Sequence, residues 1–131
     1  MQSGKRTENR VQEVSDITRN LKLMAKDVNV PVITLAQLAR GTEGRGKSHR
    51  PQLSDLRESG SIEQDADMIG LLYRSAYYAE DEEKRQQMAG RANLHLAKNR
   101  NGPTGDVPLH FEAELMRFST READEHDQEN E

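Results

Sequence analysis

The sequence contains no cysteine, and only 33% of its 131 residues are hydrophobic. The absence of cysteine excludes disulfide bonds and thiolate chemistry. The mean hydropathy of −0.98 is low, so the hydrophobic core must be small or be completed by partners. The length allows one domain at most.

Long apolar segments are also missing from the sequence. No run approaches the roughly 18 residues that a membrane-spanning helix needs. The polar start, MQSGKRTENR, does not have the form of a signal peptide. We therefore expect a cytoplasmic protein that has no membrane partner.

Negative charge is concentrated at the C-terminal end of the chain. Residues 119–131 carry six acidic residues and one arginine, whereas residues 1–118 carry 18 basic and 17 acidic residues. The only apolar side chain in the acidic segment is that of Ala123. Such a segment cannot bury enough apolar surface to fold. We predict one domain over residues 1–118 and a disordered acidic tail over residues 119–131.

A long amphipathic helix followed by a strand is predicted near the start of the chain. Apolar residues recur at steps of three and four over residues 7–29, namely Val11, Val14, Ile17, Leu21, Met24 and Val28. Asn29 closes this helix, and Val30–Ala36 (VPVITLA) then has the pattern of a buried strand, with Pro31 tolerated only near its start. A helix that leads directly into a hydrophobic strand is half of a parallel-sheet unit.

Residues 50–74, RPQLSDLRESGSIEQDADMIGLLYR, combine several structural signals in a short stretch. A short helix is predicted to end at Gly60. Ser61 and Gln64 have the spacing of a capping box, which predicts a second helical turn directly after the glycine. Met68–Leu72 is an apolar run too short for a helix, so it is predicted to be a core strand.

A β-hairpin with two cations is predicted further along the chain. Ala92–Asn99 alternates as a strand, with Leu94 and Leu96 on one face, and Lys98 and Arg100 are predicted to continue that face as the strand ends. A turn containing glycine and proline and a returning alternating strand complete the hairpin. From these residues alone, the simpler interpretation is a hairpin flanked by solvated cations.

Gly41–Ser48, GTEGRGKS, matches the formal pattern of a phosphate-binding loop. Such a loop lies directly between a strand and a helix, but here four residues follow the predicted strand first. Pro51 also comes too soon for a helix to begin at the loop's end. A mobile glycine-rich loop is the favoured interpretation, with Arg45, Lys47 and Arg50 able to approach a phosphate backbone.

Three of these segments resemble motifs of one protein family, in the same order. RPQLSDLRESG with IEQDAD, the strand VPVITLAQL, and AKNRNGPTG are similar to the C-terminal motor domain of the DnaB family of replicative DNA helicases. The resemblance extends from Thr7 to Phe118. It implies an α/β fold, the C-terminal half of a RecA-like P-loop NTPase domain, with a mostly parallel sheet and a C-terminal β-hairpin.

The resemblance also implies roles for particular residues. Gln37 would sense the terminal phosphate of the nucleotide, and Lys98 and Arg100 would act in trans on the γ-phosphate bound by the neighbouring subunit, with Arg100 as the arginine finger. Arg57, Glu58 and Gly60 would lie on a corner that holds the phosphate backbone of single-stranded DNA. No metal ligand is expected in this chain.

The family's phosphate-binding loop and its magnesium-binding aspartate lie N-terminal to the region that this chain resembles. We therefore expect ATP and Mg²⁺ as cofactors of an intact homohexamer, and we predict that this chain alone does not hydrolyse ATP. The resemblance implies single-stranded DNA as a partner, and primase and a helicase loader through parts not present here. Two alternatives stay open: a small NTPase or kinase that uses Lys47, and a non-catalytic module that regulates a helicase ring.

Overall fold

The structure is a computed structural model, and it describes residues 3–38, 50–59, 61–79 and 81–128. Within these residues the chain forms a four-stranded sheet and a long helix, with shorter helical segments between them. The α/β class predicted from the sequence is confirmed.

The sheet is antiparallel, and its strands lie in the order in which they occur in the sequence. The strands are β1 (Met68–Tyr73), β2 (Arg91–Asn99), β3 (Gly105–Glu112) and β4 (Arg117–Thr120). A short turn joins β2 to β3 and another joins β3 to β4, as expected for hairpins. The predicted hairpin is therefore confirmed.

The pairing of β1 with β2 contains one irregularity. Ile69 pairs with Lys98, whereas the next residue, Gly70, pairs with Leu96. Ala97 is thus an extra residue on β2, which makes a β-bulge. The bulge lies two residues before the end of β2, so it determines how the last residues of that strand are oriented.

The long helix α1 (Ser3–Val28) confirms the helix predicted over residues 7–29. It ends directly before Asn29, whose positive φ of 54° belongs to the left-handed region. The Asn29 N–H donates to the carbonyl of Lys26, and the Val30 N–H donates to that of Ala25, which is the Schellman pattern. The predicted closure at Asn29 is therefore confirmed.

Shorter helical segments connect the long helix to the sheet. They are a 3₁₀ helix at Leu53–Ser59, α2 (Ile62–Asp65), a second 3₁₀ helix at Ser75–Tyr78, α3 (Glu82–Gln87) and α4 (Glu125–Gln128). Helix α1 packs against the first 3₁₀ helix and against α2. Ser61 precedes α2 but makes no capping hydrogen bond with its side chain, so the predicted capping box is wrong.

The hydrophobic core of the described residues is small. Only Ile69, Leu71, Ala92 and Phe111 are buried hydrophobic residues there. Phe111 packs against Phe118, with ring centroids 4.6 Å apart, and the Arg74 guanidinium lies 4.0 Å from the Phe111 ring centroid. This small core agrees with the low hydrophobic content of the sequence.

Two predictions about the region after α1 need correction. Val30–Ala36 is not a buried strand in the structure, because Ile33 is 89% exposed and Leu35 is 93% exposed. Among the described strands every pairing is antiparallel, so the mostly parallel sheet is not observed. The physical reason is the same for both: a strand needs a paired neighbour, and no described strand pairs with this segment.

Residues 119–128 of the predicted acidic tail contain regular secondary structure. Ser119 and Thr120 belong to β4, and Glu125–Gln128 forms α4. Arg91 and Arg121 pair with aspartates of this segment. Charge composition alone did not reveal this, because one of the two arginines comes from a distant strand.

Candidate functional site

Three cations converge on residues 63–67, the stretch that runs from α2 to the start of β1. Lys22 comes from α1, Lys98 from the end of β2, and Arg100 from the turn that follows it. We call Lys22, Lys98, Arg100 and Asp67 the cation cluster. The structure therefore brings together the predicted pair Lys98 and Arg100, and it adds two residues that the sequence analysis did not select.

The backbone carbonyls at the end of α2 accept hydrogen bonds from all three cations. Lys98 Nζ donates to the Glu63 carbonyl, Arg100 Nη2 donates to the Gln64 carbonyl at 3.3 Å, and Lys22 Nζ donates to the Asp65 carbonyl at 3.1 Å. The last carbonyls of a helix have no partner within the helix, and cationic side chains are suitable donors for them. Residues 63–65 thus hold the three side chains in place.

Asp67 joins two of these cations through its carboxylate. Its Oδ1 accepts hydrogen bonds from Arg100 Nη1 at 2.6 Å and from Lys22 Nζ at 2.8 Å. The hydrogen bond from Lys22, together with the charges of Lys22, Arg100 and Lys98, outweighs desolvation and lowers the pKa of Asp67. The Arg100 N–H also donates to the Asp67 carbonyl at 2.9 Å. Asp67 is therefore ionised at neutral pH and fixes both the backbone and the side chain of Arg100.

A hydroxyl on α1 anchors the same stretch from the other side. Thr18 Oγ1 lies 2.7 Å from Asp65 Oδ2, to which it donates, and 3.2 Å from Ser61 Oγ. Because Lys22 lies one helical turn after Thr18, both residues of α1 contact the segment around α2. The position of the cation cluster thus depends on the docking of α1.

The β-bulge places Lys98 on a different face from the one predicted. Residues that pair across two strands share a face of the sheet, so Lys98 lies on the face of Ile69, whereas Leu96 lies on the face of Gly70. Neighbouring residues of β1 point to opposite faces, so Lys98 does not continue the face of Leu96. The predicted alternation was wrong because one extra residue shifts it. Gly70 was the available signal, since a glycine inside a strand often marks a bulge.

Arg100 remains accessible even though it is paired. Its side chain is 46% exposed and lies outside the regular strand. The Arg100 guanidinium is oriented by its partners within the chain and is also reached by solvent. A guanidinium in this situation is suited to binding a phosphate oxygen. The cluster can therefore present a positive charge to a neighbouring molecule.

The predicted sensor makes no described hydrogen bond to the cation cluster, whereas the predicted DNA corner lies on the 3₁₀ helix that packs against α1 and α2. Gln37 is exposed, and it follows the unpaired segment 30–36. Arg57 and Glu58 belong to the 3₁₀ helix Leu53–Ser59, and Gly60 lies outside the described residues. The phosphate-loop pattern at residues 41–48 also lies outside them.

A second ionic contact fixes the start of the 50–59 segment against the sheet. Arg50 Nη2 donates to the Asp106 carboxylate, and His95 Nδ1 lies 2.8 Å from Asp106 Oδ1. Burial alone would raise the pKa of Asp106, but the hydrogen bonds from Arg50 and His95 outweigh it and lower the pKa. The segment that carries Arg57 and Glu58 is thus tied to β3 at its first residue.

Two other kinds of site are absent from the part of the chain that the structure describes. No helix there is long and apolar enough to cross a membrane. No group of three or more histidine and acidic residues there could hold a metal ion.

The family model for the DnaB-like helicase C-terminal domain matches residues 1–120. The chain is 54% identical over 119 residues to the replicative DNA helicase DnaB of Leifsonia xyli, covering 91% of this chain and 25% of the relative. It is 50% identical over 116 residues to the replicative DNA helicase DnaB of Geobacillus stearothermophilus, covering 88% of this chain and 24% of the relative. The chain thus spans about a quarter of the length of these curated relatives.

Two solved structures are similar to the chain in both fold and sequence. The first is described as an ATPase domain, with a TM-score of 0.75 and 46% identity over 86% of this chain and 38% of that domain's chain. The second is a DnaB-like replicative helicase described together with its interactions with primase. Its TM-score is 0.76 and its identity 45%, over 86% of this chain and 26% of that one.

Proposed function

The chain belongs to the DnaB-like helicase C-terminal domain family, and from this we propose that it is part of an ATP-dependent replicative DNA helicase. The complete protein would work as a hexameric ring in the cytoplasm and would unwind duplex DNA by moving along one strand. Within that ring, this region would supply a nucleotide sensor, a DNA-contacting corner and a trans-acting arginine finger.

The arrangement of Lys98 and Arg100 carries this proposal. Both cations are held at the end of β2 by the segment around α2, and the Arg100 guanidinium remains half exposed. Negative charge on the phosphoryl oxygens must be stabilised in the transition state of ATP hydrolysis, and a positioned arginine does this effectively. Arg100 would stabilise that charge at the nucleotide bound by the next subunit, and Lys98 would bind the same phosphate.

The described residues fit the terminal phosphate of ATP but not the whole nucleotide. Lys98 and Arg100 are suitable partners for phosphate oxygens, whereas the described residues offer no group of acidic side chains for Mg²⁺. When bound, ATP with Mg²⁺ would supply the phosphoryl group whose hydrolysis drives movement. The nucleotide would then be held mainly by other parts of the complete protein, so we expect this chain alone not to hydrolyse ATP.

The roles of the remaining predicted residues follow from the same assembly. Arg57, Glu58 and Gly60 would face single-stranded DNA in the central channel and contact its phosphate backbone without reading its sequence. Gln37 would report the state of the nucleotide to this corner. Primase and a helicase loader would bind parts of the complete protein outside this chain.

An ATPase assay on a chimeric ring tests the proposal. The matching segment of the Leifsonia xyli relative would be replaced by this sequence, and ATP turnover would be measured with single-stranded DNA. Arg100→Ala should lower turnover by about a thousand-fold or more, which is the range for arginine fingers. Arg117→Ala is the matched control, because Arg117 is also an exposed, ion-paired arginine, on β4. Equal turnover in the two variants would contradict the proposal.

A mixing experiment tests whether Arg100 acts in trans. One chimera would carry Arg100→Ala, and a second would carry a disabled phosphate-binding loop in the relative's own part. Each should be inactive alone. Mixed rings should regain activity, because an intact nucleotide site then meets an intact Arg100 from its neighbour. Mixed rings that stay inactive would show that Arg100 does not contribute to ATP hydrolysis at the nucleotide site of a neighbouring subunit.

A further inference from the structure

We propose that Asp67 is a positioning residue that holds Arg100 in a resting position, from which Arg100 is released to bind a phosphate of the neighbouring subunit. The inference rests on the role proposed above for Arg100. It adds a residue, Asp67, that the sequence analysis did not select, and it assigns a direction to its effect: Asp67 competes with the phosphate.

The geometry of Arg100 supports a held state. Its Nη1 donates to Asp67 Oδ1 at 2.6 Å, and its Nη2 donates to the Gln64 carbonyl at 3.3 Å. A guanidinium can grip an anion at two points through its two terminal nitrogens. One N–H group of each terminal nitrogen is engaged within the chain, so a grip through these same N–H groups requires that they leave Asp67 and Gln64.

Lys22 makes this release possible without leaving a lone carboxylate. Its Nζ donates to the same Oδ1 of Asp67, at 2.8 Å, and to the Asp65 carbonyl at 3.1 Å. When Arg100 departs, Asp67 keeps one cationic partner that is itself fixed on α1. The Asp67 carboxylate therefore loses its hydrogen bond with Arg100 but keeps the one with Lys22.

Solvent exposure sets the strength of the hold. The Asp67 side chain is 61% exposed and that of Arg100 is 46% exposed. Ion pairs in such positions are weak and correspond to no more than about a five-fold change in an equilibrium constant. A phosphate with several negative charges can displace a single carboxylate from a pair of this strength. The hold is thus weak enough to be reversed on each turnover.

Lys98 provides an internal comparison. It is held by the backbone carbonyl of Glu63, and its described hydrogen bonds do not include Asp67. Replacing the Asp67 carboxylate should therefore alter the side chain of Arg100 much more than that of Lys98. An effect of equal size on both would indicate a general loss of structure.

The test uses the full chain labelled with ¹⁵N-arginine, with tripolyphosphate as the probe. NMR spectra would report the Arg100 guanidinium in the wild type, in Asp67→Asn and in Asp81→Asn. Asp81 is a matched control, because it is an exposed aspartate paired with Lys84 at 3.7 Å and its substitution changes the net charge equally. We expect Asp67→Asn to bind tripolyphosphate at Arg100 about two- to five-fold more tightly than Asp81→Asn does. Asp67→Glu should restore wild-type affinity.

Three results would overturn the inference. The first is equal affinity in Asp67→Asn and Asp81→Asn. The second is an increase that persists in the double variant Asp67→Asn/Arg100→Ala, because the gain would then come from Lys22 or from charge alone. The third is an Asp67→Glu variant that behaves like Asp67→Asn.

A second variant is expected to lower the affinity for tripolyphosphate at Arg100, and it tests the inference even if Asp67→Asn does not fold. Lys22→Ala removes the competing partner of Asp67, so Asp67 should hold Arg100 more firmly. Affinity for tripolyphosphate at Arg100 should then fall at least two-fold relative to Lys84→Ala, which removes the same charge elsewhere. No difference between these two variants would reject the inference.

The proposed function is judged separately, in the chimeric ring. Loss of turnover in Arg100→Ala with no tripolyphosphate effect in Asp67→Asn would refute only the role of Asp67. Unchanged turnover in Arg100→Ala would refute the proposed role of Arg100 as an arginine finger. Asp67 would then hold a cation that has no part in catalysis.

Discussion

Arg121 and Asp127 form a two-point ion pair, with Nη1 and Oδ2 at 2.7 Å and Nη2 and Oδ1 at 2.8 Å. Both side chains are largely buried, and the Arg121 Nε also donates to the Leu109 carbonyl on β3. The pair thus ties the acidic end of the chain to the sheet.

Removing one side of this pair should destabilise the chain. We expect Asp127→Asn to lower the free energy of unfolding by about 1–2 kcal/mol, because a charge-assisted, mostly buried contact is lost. Urea unfolding followed by circular dichroism measures this. Glu125→Gln on the same short helix is the control and should stay within about 0.5 kcal/mol of the wild type. Equal stability of the two variants would show that the pair does not hold the segment in solution.

Stability should fall in acid. Three further carboxyl groups have a lowered pKa in the folded chain, like that of Asp127, because cations donate hydrogen bonds to them: Asp67, Asp106 and Asp124. The unfolded chain therefore binds more protons than the folded chain just below the ordinary aspartate pKa of about 3.9. The stabilisation is fully present above that pH and is lost as the pH falls through the folded pKa values.

Urea titrations at pH 7, 5 and 3.5 would test this dependence. The midpoint should be similar at the first two values and lower at the third, and Asp127→Asn should flatten the decline. A midpoint that rises on acidification would contradict the assignment of these four carboxylates as paired.

Two glycines should respond differently to alanine. Gly90 has a φ of +76°, and a Cβ there would lie 2.6 Å from His110 Cε1 and 3.3 Å from the Phe111 carbonyl oxygen. Gly70 has no positive φ, and the three atoms nearest to its added Cβ all belong to the Leu94 side chain, the closest being the terminal Cδ1 at 2.9 Å. We expect Gly90→Ala to cost about 1–3 kcal/mol of stability and Gly70→Ala less than about 1 kcal/mol. Thermal unfolding of both variants measures the difference, and a larger loss at Gly70 would contradict the described β1–β2 contact.

The exposed segment after α1 should tolerate polar residues in the isolated chain. Ile33→Ser and Leu35→Ser remove apolar side chains that solvent already reaches, so stability should change by less than about 0.5 kcal/mol. Leu71→Ser is the contrasting control, since the Leu71 side chain is only 4% exposed in this chain. Similar losses from all three variants in the isolated chain would show that the segment is already packed.

The sequence was most informative where local periodicity decides structure. The apolar steps of α1 and the asparagine at its end predicted both the helix and its closure. The hairpin was predicted for the same reason. The face of Lys98 was not, because a single bulge residue reverses the alternation and depends on how β1 and β2 pair. Likewise, Asp67 became a site residue only through contacts with Lys22 and Arg100, which lie 45 and 33 positions away in the sequence.

Burial and order could not be predicted from composition alone. VPVITLA has the sequence of an internal strand, yet burial depends on neighbours that no described strand supplies. Within residues 119–128 of the acidic segment, net charge did not reveal that Arg91 and Arg121 would lie beside Asp124 and Asp127. For the acidic segment, one of these partners, Arg91, lies 33 positions from Asp124 in the sequence.

The position of β1 at one side of the sheet has a practical consequence. Among the described strands it pairs only with β2, so one row of its backbone N–H and C=O groups has no strand partner. Prolines and charged residues on an edge strand usually prevent strands of separate molecules from pairing. The sequence of β1, MIGLLY, contains neither. The isolated chain should therefore self-associate through β1 as its concentration rises. We expect this self-association, rather than unfolding, to limit the concentration at which the isolated chain can be studied.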